Sequence, residues 1–428
     1  MAEVRKIKAL LYTEKAGRLE DNVCPPYDII SGEERERLIK RSPYNLVNLE
    51  LPVDTFPDSC DRYDEAGKKL SEWIQTGILG RDSKEGMFVY REKFSVKGRE
   101  YTVTGLICLV KLYDFSEKIV LPHEETLSKA KTDRFNLMNA TYCNFSSVYS
   151  LYLDPAGTIK RVLLKAVESK PEKEFTDEEG VTHLLWKIED ENELDTLIRA
   201  FSDKQLFIAD GHHRYETALN FKKHLENQKK LSGTTADCMM MTLVDMDDEG
   251  LVIFPTHRLV TGLDIDKQEL LEKISGYFDI QEYPDVSKAG EILEKFRNKH
   301  VFAMYDGGEG FTLLSAKPQV DDMVFESRSK AYSSLDVTVL HSLILENGLG
   351  IDKQNMANQI NLRYTRSSEE AVERVRKGEC SLAFIINPTQ INEIKDVSLA
   401  GDKMPQKSTY FYPKLKTGLV MNQLNQRG

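Results

Sequence analysis

The chain has 428 residues, 40% hydrophobic and 30% charged, with a formal net charge of −11 at pH 7. That length exceeds the usual single core, so two or three domains of an ordinary soluble kind are expected. The acidic balance, without a long Lys/Arg block, argues against a nucleic-acid surface, and no apolar run approaches the roughly 18 residues that cross a membrane.

The start, MAEVRKIKALLY, lacks the apolar core of a signal peptide and reads as a short first strand, which predicts a cytoplasmic protein. Six scattered cysteines (24, 60, 108, 143, 238, 380) form no Cys-x-x-Cys pair. Free, mostly buried thiols are expected rather than disulfides or a zinc site. The first section, 1–115, mixes helix and strand. Ser31 with Glu34 predicts a capping box opening a helix through Leu38 and Ile39. A second helix is predicted over 62–76, with Ala66, Leu70 and Trp73 on one face. Strands at 87–96 and 101–112, joined by Lys97-Gly98-Arg99, predict a hairpin.

The central section, 116–265, carries most of the candidate chemistry. After Pro122-His123-Glu124-Glu125-Thr126 a helix containing Phe135, Leu137 and Met138 is predicted, then a strand at 148–153. Residues 168–181 are polar and predict an exposed loop or hairpin. Strands follow at 183–188, 206–208, 239–244 and 251–254. The final section, 266–428, predicts a further α/β unit with helices at 266–276, 287–298, 334–346 and 368–377. Its strands are expected at 301–305, 311–315 and 381–386. The aromatic, basic ending KSTYFYPKLKTGL is expected to pack back on the body. No internal repeat or low-complexity tract interrupts the chain.

The most informative stretch is QLFIADGHHRYETAL, 205–219. An apolar strand ends in Asp210-Gly211, two histidines and Arg214 follow, and a helix is expected to begin near Tyr215. A strand, a glycine turn and a helix N-terminus make an anion cradle, because first-turn N–H groups have no intrahelical partner. Gly211 permits close backbone approach to a phosphate, and Arg214 can bind it in bidentate fashion. His212 and His213 add side chains of a type that can donate or accept protons near neutral pH, and could serve as acid or base. A purely structural turn is the competing reading.

Elsewhere, Glu124 beside His123 could act as a base or bind a divalent metal, against a plain helix start capped by Thr126. Lys131 and Arg134 could neutralise phosphate, although charges on a helix usually form a solvated face. His257 with Arg258 follows a strand, and Lys407-Ser408-Thr409 offers an ammonium and two hydroxyls. Cys24-Pro25-Pro26-Tyr27-Asp28 is expected to position a loop. Walker, Rossmann, nucleophile-elbow and His-Glu-x-x-His signatures are absent.

Together, VCPPYDIIS (23–31), VLPHEET (120–126), KTDR (131–134), IADGHHRYETAL, PTHR (255–258) and MPQKSTYFYPKLKTGLV (404–420) closely resemble the family called domain of unknown function 1015. The Asp-Gly-His-His-Arg turn also resembles the phosphate-binding turn of the ParB/sulfiredoxin fold, which includes the ADP-dependent free serine kinases. Sulfiredoxin chemistry would need a cysteine where His212 and His213 stand. The resemblance implies a mixed α/β (α+β) fold with a ParB/sulfiredoxin-like central core inside further α/β sections. It implies an enzyme of phosphate chemistry on a small metabolite, a kinase or phosphatase acting on serine, phosphoserine or a similar hydroxy amino acid. In that reading Asp210, Gly211 and Arg214 hold phosphate with help from Lys131, Arg134, His257, Lys407, Ser408 and Thr409. Glu124, His212, His213 and Arg214 are catalytic, Asp210 or Glu124 holds Mg²⁺, and ADP or ATP donates the phosphoryl group. The alternative is a non-enzymatic nucleotide- or anion-binding regulatory module of ParB-like type. Glu124, His212, His213, Arg214, His257 and Lys407 are expected to converge on one pocket.

Overall fold

The computed structural model describes residues 1–56, 59, 61–126, 128–297 and 299–425. Cys60 and the end of the helix expected at 287–298 lie outside the described residues. The described residues fall into two compact units, each mixing helices and strands. The first comprises Met1–Pro122, Thr126–Leu251 and Pro413–Gly428, the second His123–Glu125 and Val252–Tyr412.

The first unit is organised by a nine-stranded mixed sheet. Its strands are β1 (Val4–Arg5), β2 (Met87–Val96), β3 (Arg99–Lys111), β4 (Val120–Leu121), β5 (Val148–Tyr152), β6 (Lys173–Thr176), β7 (Thr182–Ile188), β8 (Leu206–Asp210) and β9 (Cys238–Asp245). They lie in the order β4-β8-β5-β9-β3-β2-β7-β6, with β1 added against β3. Pairs β4/β8 and β5/β9 are parallel and the others antiparallel. The β2–β3 hairpin turns on Lys97 (φ 50°) and Gly98 (φ 78°). Two successive left-handed residues match the twist of the flanking strands, so the expected three-residue link tightens to two.

Five main helices accompany this sheet: α1 (Gly32–Arg41), α2 (Arg62–Gln75), α3 (Ser128–Thr141), α4 (Glu191–Phe201) and α5 (His212–Asn227). At α1 only the Ser31 half of the predicted capping box forms, accepting from Glu34 N at 3.1 Å; Glu34 turns to Arg37 instead, 2.8 Å away. A core of Val89, Leu106, Val110, Met241, Leu243, Tyr215 and Phe221 is buried between sheet and helices. A second apolar cluster gathers Leu38, Leu46, Leu70, Trp73, Leu137 and Phe145.

The second unit is built on a six-stranded, fully antiparallel sheet: β10 (His257–Val260), β11 (Phe278–Tyr283), β12 (Val301–Tyr305), β13 (Phe311–Ala316), β14 (Leu362–Thr365) and β15 (Leu382–Ile386). The order is β11-β13-β12-β15-β10-β14. The helix expected over 334–346 has a different character: one α-turn, Asp336–Val339, passes into a π-helix, Leu340–Glu346. Apolar periodicity cannot foretell this widening, which is rare and concentrates at functional positions. The aromatic tail packs as expected, Phe411–Tyr412 pairing with Val252–Ile253 and Asn422–Gln423 with Cys143–Asn144. Five described cysteines are buried and none forms a disulfide. Among the described residues no helix is long and apolar enough to cross a membrane.

Candidate functional site

The sheet itself shapes the turn at 210–214. β8 pairs with β5 as far as Ile208, then the register slips and Asp210 takes the next partner, Tyr149. Such a bulge twists a strand end and re-aims the residue after it. Gly211 then adopts φ +94°, and a Cβ there would lie 2.9 Å from Arg214 Nε and Nη2. Glycine is needed for the left-handed torsion and to let the guanidinium lie against the turn. The helix starts at once, with Gly211 as N-cap and no side chain capping it. His212, His213 and Arg214 therefore form the first turn of α5, three residues earlier than apolar spacing suggests. A polar first turn carries no hydrophobic signal.

Arg214 is 8% exposed. It donates through Nη1 to the Ser147 carbonyl at 2.6 Å and through Nη2 to Asp210 Oδ2 at 2.8 Å. Asp210 Oδ1 accepts from Lys414 Nζ at 2.9 Å. Burial alone would push the Asp210 carboxyl up, but Lys414 and Arg214 hold it well below the usual carboxylate range. Both its oxygens face cations, an arrangement that does not fit the expected role of Mg²⁺ ligand. Among the described residues no group of three or more His, Cys, Asp or Glu could hold a metal ion.

Next to this turn lies a second set of buried charges. Arg134, on α3, approaches Glu50 Oε1 at 3.3 Å through Nη1, donates to the Glu50 carbonyl at 2.9 Å, and pairs with Asp133 at 2.5 Å. Its guanidinium stacks 4.2 Å from the centre of the Tyr27 ring. Burial pushes the Glu50 carboxyl up, against the pull of Arg134 and Arg214. Glu50, Arg134, Ser146, Arg214 and Thr217 line one narrow cavity of about 30 Å³, the room of a single water or so. Thr217 is fully buried, and its hydroxyl has no hydrogen-bond partner among the described residues. Such an atom costs about 1–3 kcal/mol unless something polar enters the cavity. Lys131 lies elsewhere on α3, paired at 2.8 Å with Glu216, which also accepts from Thr126 at 2.7 Å.

Thus the structure brings Arg134 together with Asp210, Gly211, His212, His213 and Arg214. It adds Tyr27, Glu50 and Lys414, which the sequence reading did not assign to a site. An acid between two leucines in the apolar run 46–51 was the available signal for Glu50. Lys414 carried none, because its partner lies 204 positions away.

The remaining expected residues belong to the second unit. Glu124 forms a β-bridge with Met404, and neighbouring His123 meets Thr409 Oγ1 through Nε2 at 3.1 Å. His257, 2% exposed, accepts from Ile386 N at 3.2 Å through Nδ1. Lys407 has a left-handed backbone (φ 58°), and its carbonyl accepts from Arg258 Nη2 at 3.3 Å. Ser408 Oγ donates to the Pro405 carbonyl at 2.5 Å. The Lys407-Ser408-Thr409 segment thus commits both hydroxyls to contacts inside the unit.

Several solved structures are similar to the chain. A free serine kinase in complex with AMP is 15% identical, with a TM-score of 0.35, covering 72% of this chain and 86% of that one. A conserved hypothetical protein from Pyrococcus furiosus is 15% identical, with a TM-score of 0.34 and coverages of 73% and 93%. C-terminally truncated SbnI from Staphylococcus aureus is 12% identical, with a TM-score of 0.34 and coverages of 74% and 87%. No curated protein matches the chain. The family described as protein of unknown function (DUF1015) matches residues 4–338, and the chain belongs to it.

Proposed function

We propose that the first unit is an enzyme module that handles the phosphoryl group of a small metabolite. The reaction is transfer to or from a hydroxylated amino acid such as serine, with ADP or ATP as the partner nucleotide. One observation carries this reading: Arg134, Arg214, Glu50 and Thr217 line a single small, partly apolar cavity beside the Gly211-opened start of α5, which a phosphoryl group would have to widen. Two buried guanidiniums and a helix N-terminus are the groups that stabilise charge on a transferring phosphoryl group. Arg214 is held ready by Asp210 and the Ser147 carbonyl, so it is oriented before any anion arrives. His212 or His213 would move the proton on the reacting hydroxyl. Magnesium would travel on the nucleotide phosphates, since Asp210 is committed to Lys414 and Arg214.

The test is direct. Purified full-length protein is incubated with phosphoserine, or with serine plus ADP, ATP or pyrophosphate, and phosphate, phosphoserine and nucleotide products are measured. Turnover should fall about 10²–10³-fold in Arg214→Ala, the usual cost of losing a charge-stabilising donor. Saturable nucleotide binding without any product would favour the regulatory-module reading. Neither binding nor product with any of these compounds would remove the phosphoryl reading altogether.

A further inference from the structure

The second unit holds a larger cavity, about 290 Å³. The π-helix contributes His341, Ser342 and Glu346 to its wall, and Arg328, Lys353, Tyr364 and Lys403 come from other segments. Directly behind His341 lies Arg258, one of the largest fully buried side chains of the molecule, 0% exposed.

The accounting for Arg258 is unusual. Its Nε donates to His341 Nε2 at 3.2 Å, Nη1 to the Thr256 carbonyl, and Nη2 to the Lys407 carbonyl at 3.3 Å. The Tyr364 ring sits 5.5 Å away. Every acceptor is neutral, and among the described residues no carboxylate pairs with this guanidinium. A cation taken out of water without a counter-charge is strongly disfavoured, so proteins bury arginine with an acid or an anionic ligand. Because His341 Nε2 accepts, the imidazole is neutral and its proton rests on Nδ1. Burial first, and then Arg258, keeps that ring from protonating. The Nδ1–H makes no hydrogen bond within the described residues, while His341 lines the cavity.

We propose that this cavity is an anion-binding site in which Arg258 supplies the charge and His341 relays it. His341 Nδ1–H and Ser342 would contact the ligand's carboxylate or phosphate, with Lys403 at the same wall. The volume suits a small metabolite better than a whole nucleotide. Glu326 and Glu346 on the lining suit an ammonium or hydroxyl on the same molecule, so an amino-acid-sized ligand fits both charges. The proposal concerns the second unit and does not depend on phosphoryl transfer in the first.

The experiment uses the full-length protein with isotope-labelled histidine. Histidine ring nitrogens are followed by NMR as inorganic phosphate, L-serine or acetate is added, and the His341 signal is assigned by its loss in His341→Phe. The neutral Nδ1–H form and a saturable His341 shift with at least one probe are expected. Lys403→Met should weaken that probe several-fold, and Arg258→Met about 10-fold or more, as removal of a charge-assisted interaction does. Circular dichroism shows whether Arg258→Met folds; if it does not, Lys403→Met, altered in a partly exposed side chain, decides. An absence of any saturable His341 shift would overturn the site. So would binding that is unchanged in folded Arg258→Met, since the buried arginine would then be purely architectural, or unchanged in Lys403→Met, since the ligand would then not sit against this wall.

Discussion

Replacing Arg134 by Met asks whether the buried cluster beside the Gly211 turn is held by charge. Arg134 and Glu50 are 5% and 3% exposed, with Nη1 and Oε1 3.3 Å apart. Methionine keeps most of the aliphatic bulk but leaves the Glu50 carboxylate only the more remote influence of Arg214. Removing one partner of a buried ion pair costs about 3–5 kcal/mol, because the survivor stays desolvated without compensation. That is a large share of the ~5–15 kcal/mol that holds a typical domain. In an Glu50→Gln background the same replacement strands no charge, and its cost should fall by about 1–3 kcal/mol, a normal coupling for groups in contact. The chain has two tryptophans, Trp73 and Trp186, both in the first unit. Fluorescence-detected urea unfolding therefore reads this unit alone, and the four proteins of the cycle can be compared at equal slope.

The pH dependence sharpens the test. Burial already raises the Glu50 carboxyl, and loss of Arg134 should raise it further. A native pKa above the unfolded one means that the folded state binds the extra proton, so lowering the pH favours folding. The deficit of Arg134→Met should shrink between pH 7 and pH 5. Additive costs within about 0.5 kcal/mol, together with a deficit that ignores pH, would refute the charge argument and leave Arg134 as packing.

Three further outcomes are expected. Gly211→Ala forces a Cβ into the left-handed region and against Arg214, and should lower first-unit stability by about 1–3 kcal/mol; an unchanged urea midpoint would contradict the tight turn. Glu393, whose carboxyl burial raises to about 7, should make the second unit less stable as pH climbs from about 4.5 through 7, since the native state holds the proton longer. Glu393→Gln should flatten that slope while sparing the cap at Gln390 N (2.6 Å), as read by thermal melts at pH 5 and 8. Burial lowers His183, but Asp177 and Glu92 outweigh it and raise its pKa. Its stabilisation should thus be full below about 6.5 and be lost as pH rises through the native value. A pH-independent difference between wild type and His183→Gln would speak against this.

Much of the fold is legible in the sequence where one physical signal dominates. The helix Arg62–Gln75 follows from Ala66, Leu70 and Trp73 on one face, and all three are buried. Strands such as Val301–Tyr305 and Leu382–Ile386 follow from short apolar runs between polar turns. Legibility fails where tertiary partners decide. The first turn of α5 is His-His-Arg and is helical only because Gly211 caps it and Arg214 folds back on Asp210. The π-helix at Leu340–Glu346 shows the same apolar pattern as an α-helix. Within the site, the Asp-Gly-His-His-Arg turn announces itself by composition. Glu50 and Lys414 act through partners dozens to hundreds of positions away, which no local pattern records.

Charge arithmetic constrains how the first-unit cluster could take an anion. Arg134, Arg214 and Lys414, with the half-exposed Arg62 also 3.6 Å from Asp133, stand against Glu50, Asp133 and Asp210, four cations against three carboxylates. A phosphate dianion entering this set brings two negative charges against one excess cation into a poorly solvated cavity, which is costly. Asp210 cannot relieve them readily, because Lys414 and Arg214 hold it ionised. Glu50 can: burial already favours its neutral form, and an added negative charge favours it more. Anion binding at the turn should therefore take up a proton at Glu50, freeing Arg134 for the ligand. Proton uptake of this kind makes the measured heat of phosphate binding depend on the ionisation heat of the buffer, and that dependence should vanish in Glu50→Gln.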